Sequence, residues 1–437
     1  KSFYDCNESY KNRRLKQMSE ATPYFPTIEA VEAAAKKLEG VAFVTPLTAN
    51  EQYSSKYECN ISFKREDLQV VRSYKIRGAY NKMSSLSSEE AANGVVCASA
   101  GNHAQGVALS CKLLKIQGTI FMPTTTPKQK IERAKMFGEH FVKIVLTGDS
   151  FDDAYNAAIK DCTEREKTFI HPFNDEKVIE GQATLGLELI SQTTAPIDYI
   201  FVAVGGGGLA SGMSAVFKQL SPNTKIIGVE PEGAPSMKSA FQKGEVVQLD
   251  HIDNFVDGAA VKRVGDINFE ICKTNLHDMI TIHEGGACQA ILDLYNKEAI
   301  IAEPAGALSV AALDMFKDDI KGKNVVCIIS GGNNDITRTA EIKERALLFS
   351  KLKHYFIINF PQRAGALREF VVDILGPNDD ITHFEYTKKA NRENDVAVVG
   401  IELKSPEDLE PLIANIKRYN FYGDYLNEKP DLFQFLV

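Results

Sequence analysis

The sequence predicts an open, mainly parallel α/β fold followed by a small α+β unit. Short apolar runs, such as 95–100, alternate with stretches of helical composition, as expected for buried parallel strands covered by helices. After about Ser350 the order of elements changes to the βαββαβ pattern of a ferredoxin-like unit. With 437 residues, 44% hydrophobic and 25% charged, the chain has the composition of a globular protein with more than one domain.

The first helix is predicted from Thr27 to Leu38, with Thr27 as the N-cap and Glu29 in the first turn. Residues 1–24 are polar and irregular, and they do not begin with Met. We expect this segment to be a disordered leader or an expression remnant, and we exclude it from the fold. Thr45 and Pro46 then turn the chain towards a strand at Ile61–Asp67.

The alternation of strands and helices continues to about residue 330. Strands are predicted at 95–100, 118–123, 141–146, 199–204, 225–230 and 324–329. Helices are predicted near 102–115, 127–137, 150–166, 175–191 and 211–220. We expect right-handed crossovers between the parallel strands, and a large domain at 25–345.

A charged helical stretch from Asp335 to Lys353 leads into the second unit. Its predicted elements are a strand at 354–360, a helix at 365–374, strands at 381–387 and 396–403, a helix at 406–419 and a strand at 432–437. We place the boundary near 345–353 and the smaller domain at 353–437.

Charge and cysteine usage exclude several classes of protein. The net charge of −8 argues against nucleic acid as the main partner. The eight cysteines show no CxxC or metal-ligand spacing, and Cys97 and Cys327 lie within apolar runs. This usage predicts a cytoplasmic protein without a metal site. We also expect no signal peptide and no membrane partner, since no apolar run approaches the length of a membrane span.

The stretch Ser73-Tyr74-Lys75-Ile76-Arg77-Gly78-Ala79 joins a strand exit to a helix. A lysine held among apolar and aromatic side chains loses its proton more easily, and a neutral lysine forms Schiff bases with carbonyl groups. Considered alone, Lys75 is more readily interpreted as an ordinary surface lysine. Three glycine-containing loops later in the chain change this interpretation.

The first of these loops, Ser99–Gly106, follows the strand at 95–100 and opens a helix. Its small residues leave backbone N–H groups free to meet an anion at the helix N-terminus. Asn102 adds a side chain that both donates and accepts hydrogen bonds. A tight strand-to-helix turn explains the stretch equally well.

The second loop contains four consecutive glycines, Gly205–Gly208, between a strand and a helix. Such a backbone can wrap closely around a phosphate with several N–H groups pointing inward. The stretch also satisfies the dinucleotide fingerprint G-x-G-x-x-G/A through Gly205, Gly207 and Ala210, with Glu230 at the end of the next strand. An NAD-binding dehydrogenase is therefore an alternative, although it leaves the lysine and asparagine loops without a role.

The third loop begins at Ser330, at the end of the strand at 324–329, and taken alone it is a plain turn. Together the loops fall where an open α/β sheet has its ligand crevice. They supply an amine, an anion-binding turn, a phosphate cradle and a neutral hydroxyl. Pyridoxal phosphate requires such a set.

These motifs resemble those of the biosynthetic threonine dehydratases, fold-type II pyridoxal-phosphate enzymes related to tryptophan synthase β, and the resemblance covers residues 25–437. It implies that Lys75 bonds covalently to the cofactor, Asn102 contacts its 3-hydroxyl and Ser330 faces its ring nitrogen. It further implies a phosphate site at Gly205, Gly206, Gly207, Gly208 and Leu209, and a substrate-carboxylate site at Ser99, Ala100, Gly101, Asn102 and His103.

The implied reaction is a β-elimination that converts L-threonine to 2-oxobutanoate and ammonia, with Lys75 as the base. Serine racemase and a catabolic serine/threonine dehydratase are the related alternatives. Racemases carry a serine before the glycine of the asparagine loop, where this chain has Ala100. They also carry an acid for a divalent metal where this chain has Ser236, which puts that metal site in doubt.

The C-terminal unit resembles the ACT-like regulatory domain of these dehydratases, present once. The resemblance implies an amino-acid effector, isoleucine or valine, at the turn that contains Arg363 and Gly365, and a homotetramer. A dimerisation module without ligand and a non-catalytic amino-acid sensor are alternatives. The preference between threonine and serine stays open.

Overall fold

The computed structural model describes residues 23–386, 394–429 and 431–433, in two compact units. The first unit comprises the chain to His283 together with Glu298–Asn334, and the second comprises Glu284–Lys297 together with the chain from Asp335. The predicted leader lies outside the described residues except for positions 23 and 24. Within the described ranges, no helix is long and apolar enough to cross a membrane.

The first unit contains two sheets. Their strands are β1 (Leu47–Ala49), β2 (Asn60–Arg65), β3 (Val95–Ala98), β4 (Gly118–Met122), β5 (Val142–Leu146), β6 (Thr168–Phe169), β7 (Tyr199–Ala203), β8 (Lys225–Pro231), β9 (Asp278–Ile282) and β10 (Asn324–Ile329). The larger sheet has the order β1-β2-β10-β7-β8-β9 and the smaller β5-β4-β3-β6. Every pairing is parallel except that of β1 with β2. The predicted parallel α/β class is confirmed.

Helices separate these strands. They are α1 (Ile28–Leu38), α2 (Glu51–Tyr57), α3 (Lys75–Met83), α4 (Ser88–Asn93), α5 (Asn102–Leu114), α6 (Lys128–Gly138), α7 (Phe151–Glu164), α8 (Glu176–Gln192), α9 (Gly208–Leu220), α10 (Ser236–Lys243), α11 (Asp266–Asn275) and α13 (Pro304–Ala311). Thr27 caps α1 as predicted, since its Oγ1 accepts from Ala30 N at 3.3 Å. All residues of β3 and β4 are buried, which explains their continuous apolar sequence.

The sequence analysis did not identify several elements between residues 236 and 311. Strand β9 and helices α10, α11 and α13 lie there, and β9 forms an edge of the larger sheet. Helix α9 also begins at Gly208, earlier than predicted, because Gly207 takes a φ of +95° that ends the loop. Helix α12 (Glu284–Glu298) belongs to the second unit except for its last residue.

The second unit contains α12, α14 (Thr339–Phe349), β11 (Lys353–Pro361), α15 (Ala366–Glu369), β12 (Asp380–Tyr386), β13 (Asn394–Glu402), α16 (Leu409–Arg418) and β14 (Tyr422–Tyr425). Its strands form an antiparallel sheet in the order β12-β13-β11-β14. A buried cluster that includes Phe356, Phe370 and Ile416 fills the space between this sheet and its helices.

The last strand of this unit is not where the sequence predicted it. The predicted strand was 432–437, but residues 432 and 433 are helical and 434–437 lie outside the described residues. Strand β14 pairs with β11 instead, across an irregularity between Ile357 and Ile358. A Cβ atom at Gly423 would lie 2.6 Å from the Ile357 carbonyl oxygen, so the close approach requires glycine. That glycine, in a short polar strand, concealed β14 in the sequence.

Candidate functional site

Lys75 is the first residue of α3 and lies at the carboxyl edge of the larger sheet. The preceding residues are tied to the end of β10, because Tyr74 N donates to Ser330 O at 3.2 Å and Ser73 bridges Gly331. The Lys75 Nζ atom donates to Pro172 O at 2.9 Å and lies 5.2 Å from the centre of the Tyr74 ring. Burial lowers the pKa of Lys75 to about 8, although the Glu303 carboxylate opposes this shift.

A buried ionic cluster beneath α3 anchors this lysine. Arg77 is 1% exposed, and its guanidinium donates to both carboxylate oxygens of Glu66 at 2.8 Å and to Glu188 at 2.6 Å. Lys64, fully buried, donates to the same Glu188. Burial works against ionisation of Glu66, but Arg77, Thr45 and Lys64 together outweigh it and lower the pKa of Glu66. The arginine of the lysine motif therefore fixes the helix rather than meeting a ligand.

The Ser99–Gly106 stretch links β3 to α5 and includes the first turn of α5. Its last residue, Gly106, permits close contact with α3, the helix that Lys75 opens. A Cβ atom at Gly106 would lie 3.1 Å from the Lys75 carbonyl oxygen. His103 is 3% exposed and its Nε2 contacts Ile170 O at 2.9 Å. Burial, with help from the Lys75 charge, lowers the pKa of His103 to about 3, so its ring is neutral at physiological pH. Ser99 and Asn102 remain partly exposed.

The glycine loop connects β7 to α9 and is enclosed on several sides. A Cβ atom would lie 3.0 Å from Ala259 Cα if placed at Gly205, and 2.2 Å from the Phe173 ring if placed at Gly206. Gly207 has a φ of +95°, and a Cβ atom built on it would lie 2.9 Å from Asn268 Cβ. The first-turn N–H groups of α9, including that of Leu209, have no acceptor within the helix. This arrangement fits a bound phosphate.

Ser330 directly follows β10 and is 3% exposed. Its carbonyl oxygen accepts from Tyr74 N, so the serine loop and the lysine loop are in direct contact. The hydroxyl is a neutral hydrogen-bonding group at the same edge of the sheet as the amine.

The sequence analysis missed Glu303, which precedes α13. Glu303 is 5% exposed and its Oε1 accepts from Asn102 Nδ2 at 2.6 Å. Burial raises the pKa of Glu303 to about 7, with a contribution from Asp257, while Asn102 and Lys130 oppose it. An acid that ends the apolar run Ile300-Ile301-Ala302, directly before Pro304, was the available signal in the sequence.

Glu230, the acid of the dinucleotide alternative, performs a different task. It is fully buried, and its two carboxylate oxygens accept from the N–H groups of Met237 at 2.7 Å and Lys238 at 2.9 Å. It therefore caps α10 and is not available to a ribose. Nearby, Ser236 Oγ donates to Val261 O. The described part of the chain contains no group of three or more His, Cys, Asp or Glu residues arranged for a metal.

The three loops and Lys75 thus meet at one crevice of the first unit. The crevice combines an amine of lowered pKa, a glycine loop that opens a helix N-terminus, an amide and a hydroxyl. These groups fit pyridoxal phosphate, since each polar atom of that cofactor has a partner of suitable type.

Comparison with known proteins gives matches over almost the whole chain. Residues 38–331 match the family described as pyridoxal-phosphate dependent enzyme, and residues 344–436 match the C-terminal regulatory domain of threonine dehydratase. The chain is 55% identical to the biosynthetic L-threonine dehydratase IlvA of Bacillus subtilis, over 94% of this chain and 97% of that one. It is 54% identical to that of Halalkalibacterium halodurans, over 94% and 99%.

Solved structures match about three quarters of this chain. The processed threonine deaminase isoform 2 of Solanum lycopersicum matches with a TM-score of 0.69 and 40% identity, over 74% of this chain and 96% of that one. Maize serine racemase matches with a TM-score of 0.69 and 29% identity, over 74% and 98%.

Proposed function

Since this chain belongs to the pyridoxal-phosphate dependent enzymes, and among them to the biosynthetic threonine dehydratases, we propose that its crevice around Lys75 converts L-threonine to 2-oxobutanoate and ammonia. The observation that carries the assignment of the site is the Lys75 amine. It is half-buried, has a lowered pKa and lies where the asparagine, glycine and serine loops converge.

The residues of the crevice would hold the cofactor by distinct contacts. Lys75 would bond to its aldehyde carbon, and the backbone N–H groups of Gly205 to Leu209 would bind its phosphate. Asn102 would meet the 3-hydroxyl and Ser330 the ring nitrogen. When bound, pyridoxal phosphate supplies the electron withdrawal that acidifies the α-hydrogen of the substrate.

The side chains of the protein then carry the proton transfer. The substrate carboxylate would bind at the start of α5, in the stretch Ser99–Asn102, because a helix N-terminus favours an anion. Ser99 N already donates to Phe121 O and Gly101 N to Ser99 Oγ, so the N–H groups of Ala100 and Asn102 are the ones proposed to meet it. His103 supports this loop through its contact with the Ile170 carbonyl oxygen. Lys75 Nζ, as a neutral amine, would remove the α-proton, and the electron pair of that C–H bond would form the double bond between the α- and β-carbons. The β-hydroxyl would leave with a proton as water, and hydrolysis of the resulting enamine by a second water molecule would give 2-oxobutanoate and ammonia.

Ala100 favours elimination over racemisation. Racemisation requires a second proton donor on the face of the substrate opposite the lysine, and a methyl group cannot supply one. The serine racemase fold is shared, but fold similarity does not determine which of these reactions occurs.

The C-terminal domain, which we place at 353–437 after a catalytic domain at 25–345, is proposed to bind isoleucine or valine as an effector. Arg363 and Gly365, both exposed, lie at the start of α15. We further propose a homotetramer in the cytoplasm. The seven cysteines at described positions are all free, in keeping with a reducing compartment.

The test is an assay for 2-oxobutanoate with L-threonine as substrate, on protein reconstituted with pyridoxal phosphate. Turnover of L-threonine without formation of the D-amino acid supports the dehydratase. L-serine is compared in parallel to measure preference. Formation of D-serine or D-threonine as the main product assigns a racemase instead, and failure to bind pyridoxal phosphate rejects the proposed site.

A further inference from the structure

A directed chain of hydrogen bonds runs through Asn102. The guanidinium of Arg133 on α6 donates to Asn333 Oδ1. Asn333 Nδ2 donates to Asn102 Oδ1 at 2.6 Å, and Asn102 Nδ2 donates to Glu303 Oε1 at 2.6 Å. All four residues belong to the first unit.

The chemistry of the two ends fixes the direction of this chain. The Arg133 guanidinium only donates, so Asn333 must present its Oδ1 to Arg133 and its Nδ2 to Asn102 Oδ1. This turns Asn102 Nδ2 towards Glu303, which accepts the bond, so neither asparagine can reverse its amide without losing a bond. Asn333 uses its other Nδ2 hydrogen on Val71 O at 2.8 Å. Asn102 therefore has its oxygen and one Nδ2 hydrogen committed, and its second Nδ2 hydrogen is left for a ligand in the crevice.

The backbone around Glu303 is shaped to admit this carboxylate. A Cβ atom at Gly331 would lie 2.3 Å from Glu303 Oε1 and 3.2 Å from Asn102 Nδ2. At Gly258 the corresponding Cβ atom would lie 3.5 Å from the same oxygen. Glu303 N also donates to Gly331 O at 3.1 Å. Gly331 thus makes room for the Glu303 carboxylate, whereas the Gly258 position is at ordinary contact distance from it.

We propose that Glu303 and Asn333 are positioning residues that hold Asn102 as a hydrogen-bond donor to the 3-oxygen of pyridoxal phosphate. This inference rests on the proposed function. It adds two residues to the site and a fixed orientation of the Asn102 side-chain amide. A donor at that oxygen stabilises its anionic form, whereas a rotated amide would present an acceptor and repel it. The need to orient the Asn102 amide in this way also explains why the Glu303 carboxyl group is buried beside it.

The test is a double-mutant cycle measured as the Kd of pyridoxal phosphate for the apoprotein, followed by fluorescence. Glu303→Leu and Asn102→Ala should each weaken binding roughly ten-fold, the order of magnitude of one lost hydrogen bond to a charged group. The titrations are made above pH 8, so that Lys75 is largely neutral with or without the Glu303 carboxylate. The double variant should then bind no more weakly than Asn102→Ala alone, because under these conditions Glu303 acts through Asn102. Glu303→Gln, which keeps an acceptor oxygen, should restore most of the affinity.

Additive losses in the double variant, or a Glu303→Leu protein that binds like wild type, would overturn the proposal. If Glu303→Leu does not fold, as judged by circular dichroism, Asn333→Ala takes its place in the cycle with the same expected result. A wild-type protein that neither binds pyridoxal phosphate nor consumes threonine rejects the proposed function itself. A functional wild type with an additive cycle rejects only the role of Glu303 and Asn333.

Discussion

The Nζ atom of Lys75 donates a hydrogen bond to the carbonyl oxygen of Pro172 at 2.9 Å. A neutral backbone acceptor holds the amine in place but does not favour its protonated form as strongly as a carboxylate would. Burial therefore dominates, and it lowers the pKa of Lys75 to about 8. This places the amine within reach of its neutral, nucleophilic form near physiological pH.

Replacing Lys75 with alanine should abolish turnover of L-threonine while the fold is kept. The expected loss is several orders of magnitude, because the residue serves both as the covalent attachment and as the base. The measurement is the rate of 2-oxobutanoate formation, with circular dichroism as the check on folding. Lys82→Ala on the same helix, which removes an ion pair with Asp175, is the matched control and should stay active. Activity above a few per cent in Lys75→Ala would contradict the assignment.

The rate at which apoprotein incorporates pyridoxal phosphate should rise with pH and level off above about 8. Only the neutral amine attacks the aldehyde, so each unit below the Lys75 pKa of about 8 should slow the rate roughly ten-fold. Rapid-mixing absorbance measures this rate. The Glu303 carboxylate raises the pKa of Lys75, so Glu303→Gln should move the profile to lower pH. A flat profile between pH 6 and 9 would show that another step controls incorporation.

Gly206→Val should weaken the affinity for pyridoxal phosphate. A Cβ atom there would lie 2.2 Å from the Phe173 ring, so the ring or the loop must move, and the phosphate cradle moves with it. Gly40→Val provides the control. Gly40 has a φ of +75° and no atom within 4 Å of a built Cβ, so valine there strains the backbone without contacting another residue. Titration of the apoprotein should show a higher Kd for Gly206→Val only. Equal affinities in the two variants would mean that the loop does not hold the phosphate.

Arg77→Met should destabilise the first unit by about 3–5 kcal/mol, because it leaves buried carboxylates without their partner. Arg77 bonds Glu66 and Glu188 inside the fold, whereas Lys112 pairs with Glu139 at the surface. Lys112→Met should therefore change the free energy of unfolding by less than about 1 kcal/mol. Urea unfolding of the two variants measures both values. A similar small loss in each would show that the buried cluster contributes little.

The sequence predicted the parallel sheets because central strands such as β3, β4 and β10 are buried on both faces and have continuous apolar sequences. It predicted a site at Lys75, Asn102 and the glycine loop because glycine and lysine at strand ends are distinctive, and the structure places these residues in one unit. It could not reveal Glu303, since pairing with Asn102 brings together residues from distant parts of the chain. It also misplaced the last strand, because the close approach of Gly423 to Ile357 is a tertiary requirement.

The structure also changes how the proposed effector site should be tested. Removing the chain after about residue 345 would cut α14, which spans Thr339–Phe349. A Cβ atom at Gly285 on α12 would lie 2.3 Å from Phe349 Cβ, so the two helices are closely packed within the second unit. Truncation there would expose α12, and full-length point variants are the cleaner experiment.

Arg363→Ala should reduce inhibition by isoleucine without altering turnover in its absence. The Arg363 guanidinium pairs with the Glu369 carboxylate, and both lie beside Gly365, whose φ of +87° opens α15. An amino-acid carboxylate would compete with Glu369 for Arg363, so Glu369→Gln should shift inhibition in the opposite direction, to lower isoleucine concentrations. A coupling of about 1–3 kcal/mol is enough for such regulation. The assay is 2-oxobutanoate formation over a range of isoleucine concentrations, and separately of valine concentrations. Arg368→Ala, at an exposed position of α15, is the control. Unchanged sensitivity in both Arg363→Ala and Glu369→Gln would place the effector elsewhere.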